Sequence, residues 1–111
     1  MVNAHRGEIE AELGGRRYRL CLTLGALAEL EQAFGAGDLV ALAQRFETGR
    51  LSARDLIIII GCGLRGAGTP VTDDDVAALS VPGGLPDYVR IATALLAATF
   101  GVEEPVAVNP L

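Results

Sequence analysis

The sequence has 111 residues, of which half are hydrophobic and only 5% aromatic, so its core must consist mainly of aliphatic side chains. All nine basic residues are arginines, and fourteen acidic residues bring the net charge to −5, which argues against nucleic acid as a partner. Two cysteines and one histidine without metal-ligand spacing argue against a metal site and a disulfide framework.

We expect one domain spanning residues 1–111, located in the cytoplasm. Cys21 and Cys62 stand alone, with no second cysteine at C-x-x-C spacing and no signal peptide ahead of them, which suits a reducing compartment. The apolar run at residues 56–60 is far too short to cross a bilayer. No membrane association is therefore predicted.

Residues 7–22 have the pattern of a β-hairpin. Apolar residues alternate with glutamates before Gly14-Gly15 and mostly with arginines after it. Two consecutive glycines supply the positive φ angles of a two-residue type I′ turn, which sets the register of the strands. One face of the ribbon is then apolar, and the other carries opposed Glu and Arg side chains. The predicted pairs are Ile9–Leu20, Glu10–Arg19, Ala11–Tyr18, Glu12–Arg17 and Leu13–Arg16.

Four or five helices are predicted in the following part, residues 23–100. Their starts are marked by residues whose side-chain oxygens cap a first helical turn, and glycines end most of them. The inward-facing stripes are expected to include Leu24 and Leu39. The predicted helices run from the Thr23 cap to Phe34, from the Asp38 cap to Phe46, from the Ser52 cap to Leu64, from the Thr72 cap onward, and from about Pro86 to Phe100.

The third of these helices is apolar nearly all round, which is typical of a helix that is central to a core or half covered by a partner. Residues 102–111 contain two prolines and no periodicity, and a flexible tail is predicted there. The predicted fold is therefore α+β and mainly α. A two-stranded N-terminal hairpin (residues 7–22) packs on a bundle of four to five short helices.

Gly61, Gly63 and Gly66 form a G-x-G-x-x-G pattern directly after a run of isoleucines. In dinucleotide-binding proteins these glycines let the backbone approach a pyrophosphate at the start of a helix. Here Gly68 and Pro70 interrupt the helix that should follow, and no second strand ends in an acidic residue about 20 residues on. The pattern is better explained by close helix packing, and no cofactor is predicted.

The remaining reactive side chains also have structural explanations. Three consecutive acids, at positions 73–75, suit the positive end of a helix dipole and point in different directions, so they do not converge on a metal ion. Cys62 lies among apolar residues without a histidine that could act as its base. We predict no catalytic, cofactor-binding or metal-binding residue, and no enzymatic activity.

Several segments resemble the gene transfer agent family of phage tail proteins, and the likeness extends over residues 5–100. This family is grouped with phage tail assembly chaperones, so the resemblance implies a small factor that binds the tape-measure protein or tail-tube subunits while a tail is built. It implies no catalytic residue. The segments are 5–8 (HRGE), 20–31 (LCLTLGALAELE), 51–56 (LSARDL) and 61–68 (GCGLRGAG).

The apolar surface of the third and last helices exceeds what a chain of this size is expected to bury, and exposed apolar patches mark partner sites. We therefore predict protein partners and self-association. Three alternatives remain open: a structural component retained in the tail or neck of the particle, a dinucleotide-binding enzyme fragment, and a regulatory or toxin–antitoxin-type binding module unrelated to phage. The predicted partner-binding residues are Ile57, Ile58, Ile60, Val89, Leu95 and Leu96.

Overall fold

A computed structural model describes residues 7–101 and has the predicted α+β, mainly α architecture. The predicted tail at residues 102–111 and the start of the resemblance at His5 lie outside the described residues. In chain order, the elements are β1 (Glu8–Leu13), β2 (Arg16–Cys21), α1 (Leu24–Phe34), α2 (Leu39–Glu47), α3 (Ala53–Gly66), α4 (Asp73–Ala77) and α5 (Leu85–Phe100).

The two strands form the predicted antiparallel hairpin in the predicted register. Gly14 and Gly15 have φ angles of 58° and 82°, which side chains larger than hydrogen rarely adopt, so the turn needs glycine at both positions. Leu13 and Leu20 lie on the apolar face and are completely buried against the helices. The hairpin thus gains from α3 and α5 the stability that an isolated ribbon lacks.

Side-chain caps begin four of the helices at the predicted positions. The Thr23 hydroxyl accepts a hydrogen bond from the backbone N–H of Ala26 at 3.1 Å, and Asp38 caps α2 in the same way. The starts of α3 and α4 are closed by reciprocal capping boxes, each of which satisfies two backbone N–H groups. The boxes pair Ser52 with Asp55 and Thr72 with Asp75.

Helix α3 lies at the centre of the fold, in contact with β2, α1, α4 and α5. Leu56 and every residue from Ile58 to Leu64 are buried, so this all-round apolar helix is a core helix. Its glycines permit the close approach of neighbours. A Cβ on Gly63 would lie 2.6 Å from Leu95 Cδ2, and one on Gly66 would lie 2.0 Å from the carbonyl oxygen of Cys21. The glycine pattern therefore serves packing inside a helix.

The first residues of two helices, Leu24 and Leu39, were predicted to face inward and are in fact exposed. Leu24 is 79% exposed and Leu39 is 41% exposed. Each is the first residue of its helix, and because side chains on a helix tilt toward its N-terminus, each projects past the helix end. Among residues 7–101, no helix is both long enough and apolar enough to cross a bilayer.

Candidate protein-binding surface

Helix α2 is attached to the rest of the fold mainly along one side. Its fully buried side chain is Leu42, and Phe46 packs edge-on against Phe34 of α1 with ring centres 5.2 Å apart. Arg45 adds a contact with that Phe34 ring and an ion pair with Asp55 at the start of α3, at 3.2 Å. The Phe46 and Arg45 contacts go to α1 and α3, whereas the side of α2 that faces α5 borders an open depression.

The open side forms an apolar groove between α2 and α5, which we call the α2–α5 groove. It continues past Phe100 into a second depression, where Leu39 and Val40 form the rim and are 41% and 66% exposed. Glu47 lines both parts and is the charged residue of the lining. The apolar walls of the first part are Ala43, Phe46, Leu51, Leu96, Ala97 and Phe100.

A second apolar groove, the α3–α5 groove, lies between α3, α4 and the start of α5. Tyr88 forms part of its wall and donates a hydrogen bond from its hydroxyl to the carbonyl oxygen of Leu79 at 2.5 Å, which holds the ring in place. Leu85 stands at the groove and is 64% exposed. The other apolar lining residues are Ala53, Leu56, Ile57, Ile60, Val76 and Ala77.

The volumes of the two grooves indicate what they can hold. The α3–α5 groove has a volume of about 210 Å³, and the two parts of the α2–α5 groove have volumes of about 220 and 400 Å³. The two smaller volumes lie below the roughly 300–1,000 Å³ of pockets that bind drug-sized ligands or cofactors, and the third lies inside that range. Open apolar grooves also suit side chains from another protein, as when an amphipathic helix lies in a groove.

Three of the six predicted partner-binding residues line these grooves, and a fourth, Val89, lies on α5 near one of them. Ile57 and Ile60 line the α3–α5 groove, and Leu96 lines the α2–α5 groove. Val89 is 39% exposed and follows Leu85 by one helical turn, so both lie on the same face of α5. Ile60 and Leu96 are nevertheless largely buried and form groove floors, so a partner would contact them only at their edges.

Ile58 and Leu95 lie in the core and line neither groove. The hairpin and the other helices surround α3, so the fold itself buries apolar surface that the sequence suggested was in excess. Sequence reasoning missed Val40 as a groove residue; it predicted a binding face on the last helix without singling out Phe100, which lines both parts of the α2–α5 groove. One signal was available for Val40: it lies off the i, i+3, i+4, i+7 stripe that Leu39, Leu42, Ala43 and Phe46 form.

A polar cluster beside α3 joins three helices around Arg65. Its guanidinium group pairs with Glu29 of α1 at 2.6 Å and with Asp73 of α4 at 3.1 Å, and it also donates to the carbonyl oxygen of Val71. The same guanidinium lies 3.7 Å from the sulfur of Cys62. These contacts tie α1, α3 and α4 together, and they account for Asp73 as an ion-pair partner.

The side chains considered above for catalysis or metal binding have structural roles in the fold. Burial raises the pKa of the Cys62 thiol to about 12, so it stays protonated at neutral pH and is a poor nucleophile. Asp75 closes the capping box of α4. Within residues 7–101, no group of three or more His, Cys, Asp or Glu side chains is arranged to hold a metal ion. The two apolar grooves are therefore the candidate contact surfaces considered for a protein partner.

The fold and the grooves define a small, mainly helical protein with open apolar surfaces of the kind that contact other proteins. Residues 6–102 match the family described as "Phage tail tube protein, GTA-gp10", and the chain belongs to that family. Its role therefore lies in the structure or assembly of a phage-type tail, which confirms the predicted resemblance at the level of the family. No curated protein and no solved structure matches the chain.

Proposed function

We propose that this protein is a tail assembly chaperone that binds an apolar helix of the tape-measure protein or of a tail-tube subunit before it polymerises. The observation that carries the proposal is the α2–α5 groove, with the exposed Leu39 and Val40 at its rim and Phe46 and Phe100 in its walls. A client helix that is apolar on one face requires a complementary apolar surface and no active site.

The residues that line the α2–α5 groove indicate which side chains a client helix should carry. The two depressions on either side of Phe100 are suited to apolar side chains spaced one or two helical turns apart. Glu47 lines both depressions, so an arginine or lysine beside the apolar stripe of the client would meet an opposite charge. The preferred client is therefore an amphipathic helix with a basic flank.

The α3–α5 groove supplies a second contact area in this proposal. Leu85 and Val89 lie on one face of α5, beside the groove that Ile57 and Ile60 line. A long client helix, or two helices of one client, would engage both grooves. Leu96 contributes through the floor of the α2–α5 groove.

A structural component of the tail is the second candidate function. The description of the family names a tail tube protein, which supports a protein that remains in the finished particle. The two candidates differ in fate, because a chaperone leaves once the tail is built and a component stays. Composition analysis of purified particles separates them: absence of the protein supports the chaperone, and stoichiometric presence supports the component.

Co-expression with the tape-measure and tail-tube proteins of the same gene cluster, followed by pull-down, tests the groove. We expect Val40→Asp to weaken client capture at least about tenfold, because a carboxylate would be buried at the apolar contact. Leu24→Asp is the matched control, since Leu24 is more exposed and lines neither groove. Capture of neither client by the unmodified protein, or equal capture by the Val40→Asp variant, would contradict the proposal.

A further inference from the structure

The chain leaves its last helix beside the α2–α5 groove. Phe100, the last residue of α5, lines both parts of that groove. Gly101 follows in the left-handed conformation, with a φ angle of 72°, and its N–H donates a hydrogen bond to the carbonyl oxygen of Ala97. Helix ends of this kind are commonly accompanied by a contact between the next apolar residue and side chains one turn back. That next residue is Val102, and the side chains one turn back, Leu96 and Ala97, are walls of the groove.

The segment that follows, residues 102–111, has the composition and the length to cover this groove. Its sequence is VEEPVAVNPL, with three valines, one alanine and one leucine and with no basic residue. Fully extended, these ten residues span about 33 Å, whereas the stretch of α5 that lines the first part of the groove, from Thr93 to Phe100, is about 10 Å long. The segment can therefore turn back at its start and still reach both depressions.

The pattern of the segment gives it one side that suits an apolar groove. Prolines at positions 105 and 110 disfavour a helix, so the side chains between them should alternate as in a strand. Val106 and Val108 then share one side, whereas Ala107 and Asn109 share the other. The side with the two valines offers more apolar surface to bury.

The charge of the segment sets how tightly it can bind. Glu103 and Glu104 are its charged residues, and Glu47 is the charged residue of the groove lining. The segment therefore matches the apolar walls but not the charge of the groove, whereas a client helix with a basic flank matches both. Because one residue joins the segment to Phe100, its effective concentration at the groove is on the order of millimolar, and weak docking is enough to cover it.

We propose that residues 102–111 occupy the α2–α5 groove of their own chain in the absence of a client, with Val106 and Val108 against its apolar walls. The docked segment shields the exposed apolar rim, at Leu39 and Val40, from other apolar surfaces. Its displacement by a client with a basic flank rests on the proposed function, whereas the docking itself needs no client.

The rate at which an uncharged maleimide labels an introduced thiol tests the docking in the full chain. Val40→Cys, in a Cys21→Ser background, puts the thiol at the rim of the groove, and the remaining Cys62 is buried. Leu24→Cys in the same background puts it at an exposed site that lines neither groove. Circular dichroism verifies that each variant folds, and Leu39→Cys, at the same rim, replaces Val40→Cys if that variant does not.

Two matched double variants of the segment give the contrast. Val106→Asp/Val108→Asp places charges on the side that faces the groove, so labelling at position 40 should become at least about threefold faster, while labelling at position 24 stays the same. Ala107→Asp/Asn109→Asp adds the same charge to the other side of the segment. That variant should label at position 40 at close to the rate of the unmodified segment.

The docking is disproved if both double variants label at position 40 at the same rate. It is also disproved if protection at position 40 increases with protein concentration, because the segment would then bind a second copy. Client capture is measured separately, and Val106→Asp/Val108→Asp should capture the client at least about threefold more tightly. If the labelling rates are as expected but no variant captures a client, the docking is supported and the proposed function fails.

Discussion

Helices α2 and α3 both begin at a predicted side-chain cap and both contain an apolar stripe, yet their surroundings differ. Helix α3 contacts one strand and three helices, and all of its residues from Ile58 to Leu64 are buried. Helix α2 contributes one fully buried side chain, Leu42, and leaves Val40 66% exposed. The number of elements around a helix decides how much of its apolar surface is buried, whereas its composition only sets the upper limit.

This difference assigns separate tasks to the two helices. The glycines of α3 let β2 and α5 approach closely, so the stability of the fold is concentrated around this helix. Helix α2 is held by α1 and by the Arg45–Asp55 ion pair, and its other side faces the α2–α5 groove. A partner that docks there completes the packing that α2 lacks and does not have to displace any part of the core.

Truncating equivalent aliphatic residues on the two helices should give the largest contrast. Ile59→Ala on α3 removes a completely buried side chain and should lower the free energy of unfolding by about 2–5 kcal/mol. Val40→Ala on α2 removes a largely exposed one and should change it by no more than about 0.5 kcal/mol. Urea unfolding measures both values, and similar losses for the two variants would refute the distinction between the helices.

Exchanging glycine for alanine tests whether the close approach at α3 contributes to stability. Helix propensity alone predicts that Gly66→Ala stabilises the protein by up to about 1 kcal/mol. Because the new Cβ would lie 2.0 Å from the Cys21 carbonyl oxygen, we expect a loss of about 1–3 kcal/mol instead. Gly37→Ala is the control, since nothing lies within 4 Å of a Cβ there. If the Gly66→Ala variant proved as stable as the Gly37→Ala variant, β2 could move away from the new Cβ without lowering the free energy of unfolding.

The sequence predicted those features whose causes are local. The register of the hairpin follows from two consecutive glycines and alternating residues, and the helix starts follow from Thr23, Asp38, Ser52 and Thr72, which act within one turn. Such signals involve residues that are close in the chain, so they can be detected before the fold is known. The hairpin and the helical order were correct for that reason.

The candidate site was harder to predict because exposure depends on which elements become neighbours. Ile57 and Ile58 are adjacent and chemically identical, yet the first lines a groove and the second faces the core. The contribution of Phe100 depends on the distance between α2 and α5, which no local pattern encodes. Periodicity therefore identified apolar helices but not the gap between two of them.

The two cysteines differ in burial, so they test the comparison between core and surface through the pH dependence of stability, which is a smaller effect than the substitutions above. Burial raises the pKa of Cys62 on α3 to about 12, whereas the thiol ionises near pH 8.5 in an unfolded chain. Between these values the unfolded chain loses a proton that the folded protein keeps, so stability is fully present below about pH 8.5 and falls as the pH rises toward 12. The maximum slope from this one group is about 1.4 kcal/mol per pH unit.

Urea unfolding measured between about pH 8.5 and 12 should therefore show that the free energy of unfolding falls less steeply with pH for Cys62→Ala than for the unmodified protein. The comparison is of slopes, so a constant loss of stability from removing the sulfur does not affect it. Thiol labelling at mildly alkaline pH gives an independent reading. Cys21 is only partly buried and should react first, while in a Cys21→Ser variant the Cys62 thiol should react no faster than the protein opens. Rapid labelling of Cys62 in that folded variant would mean that α3 is accessible to reagent, and the contrast between the core helix and α2 would then be lost.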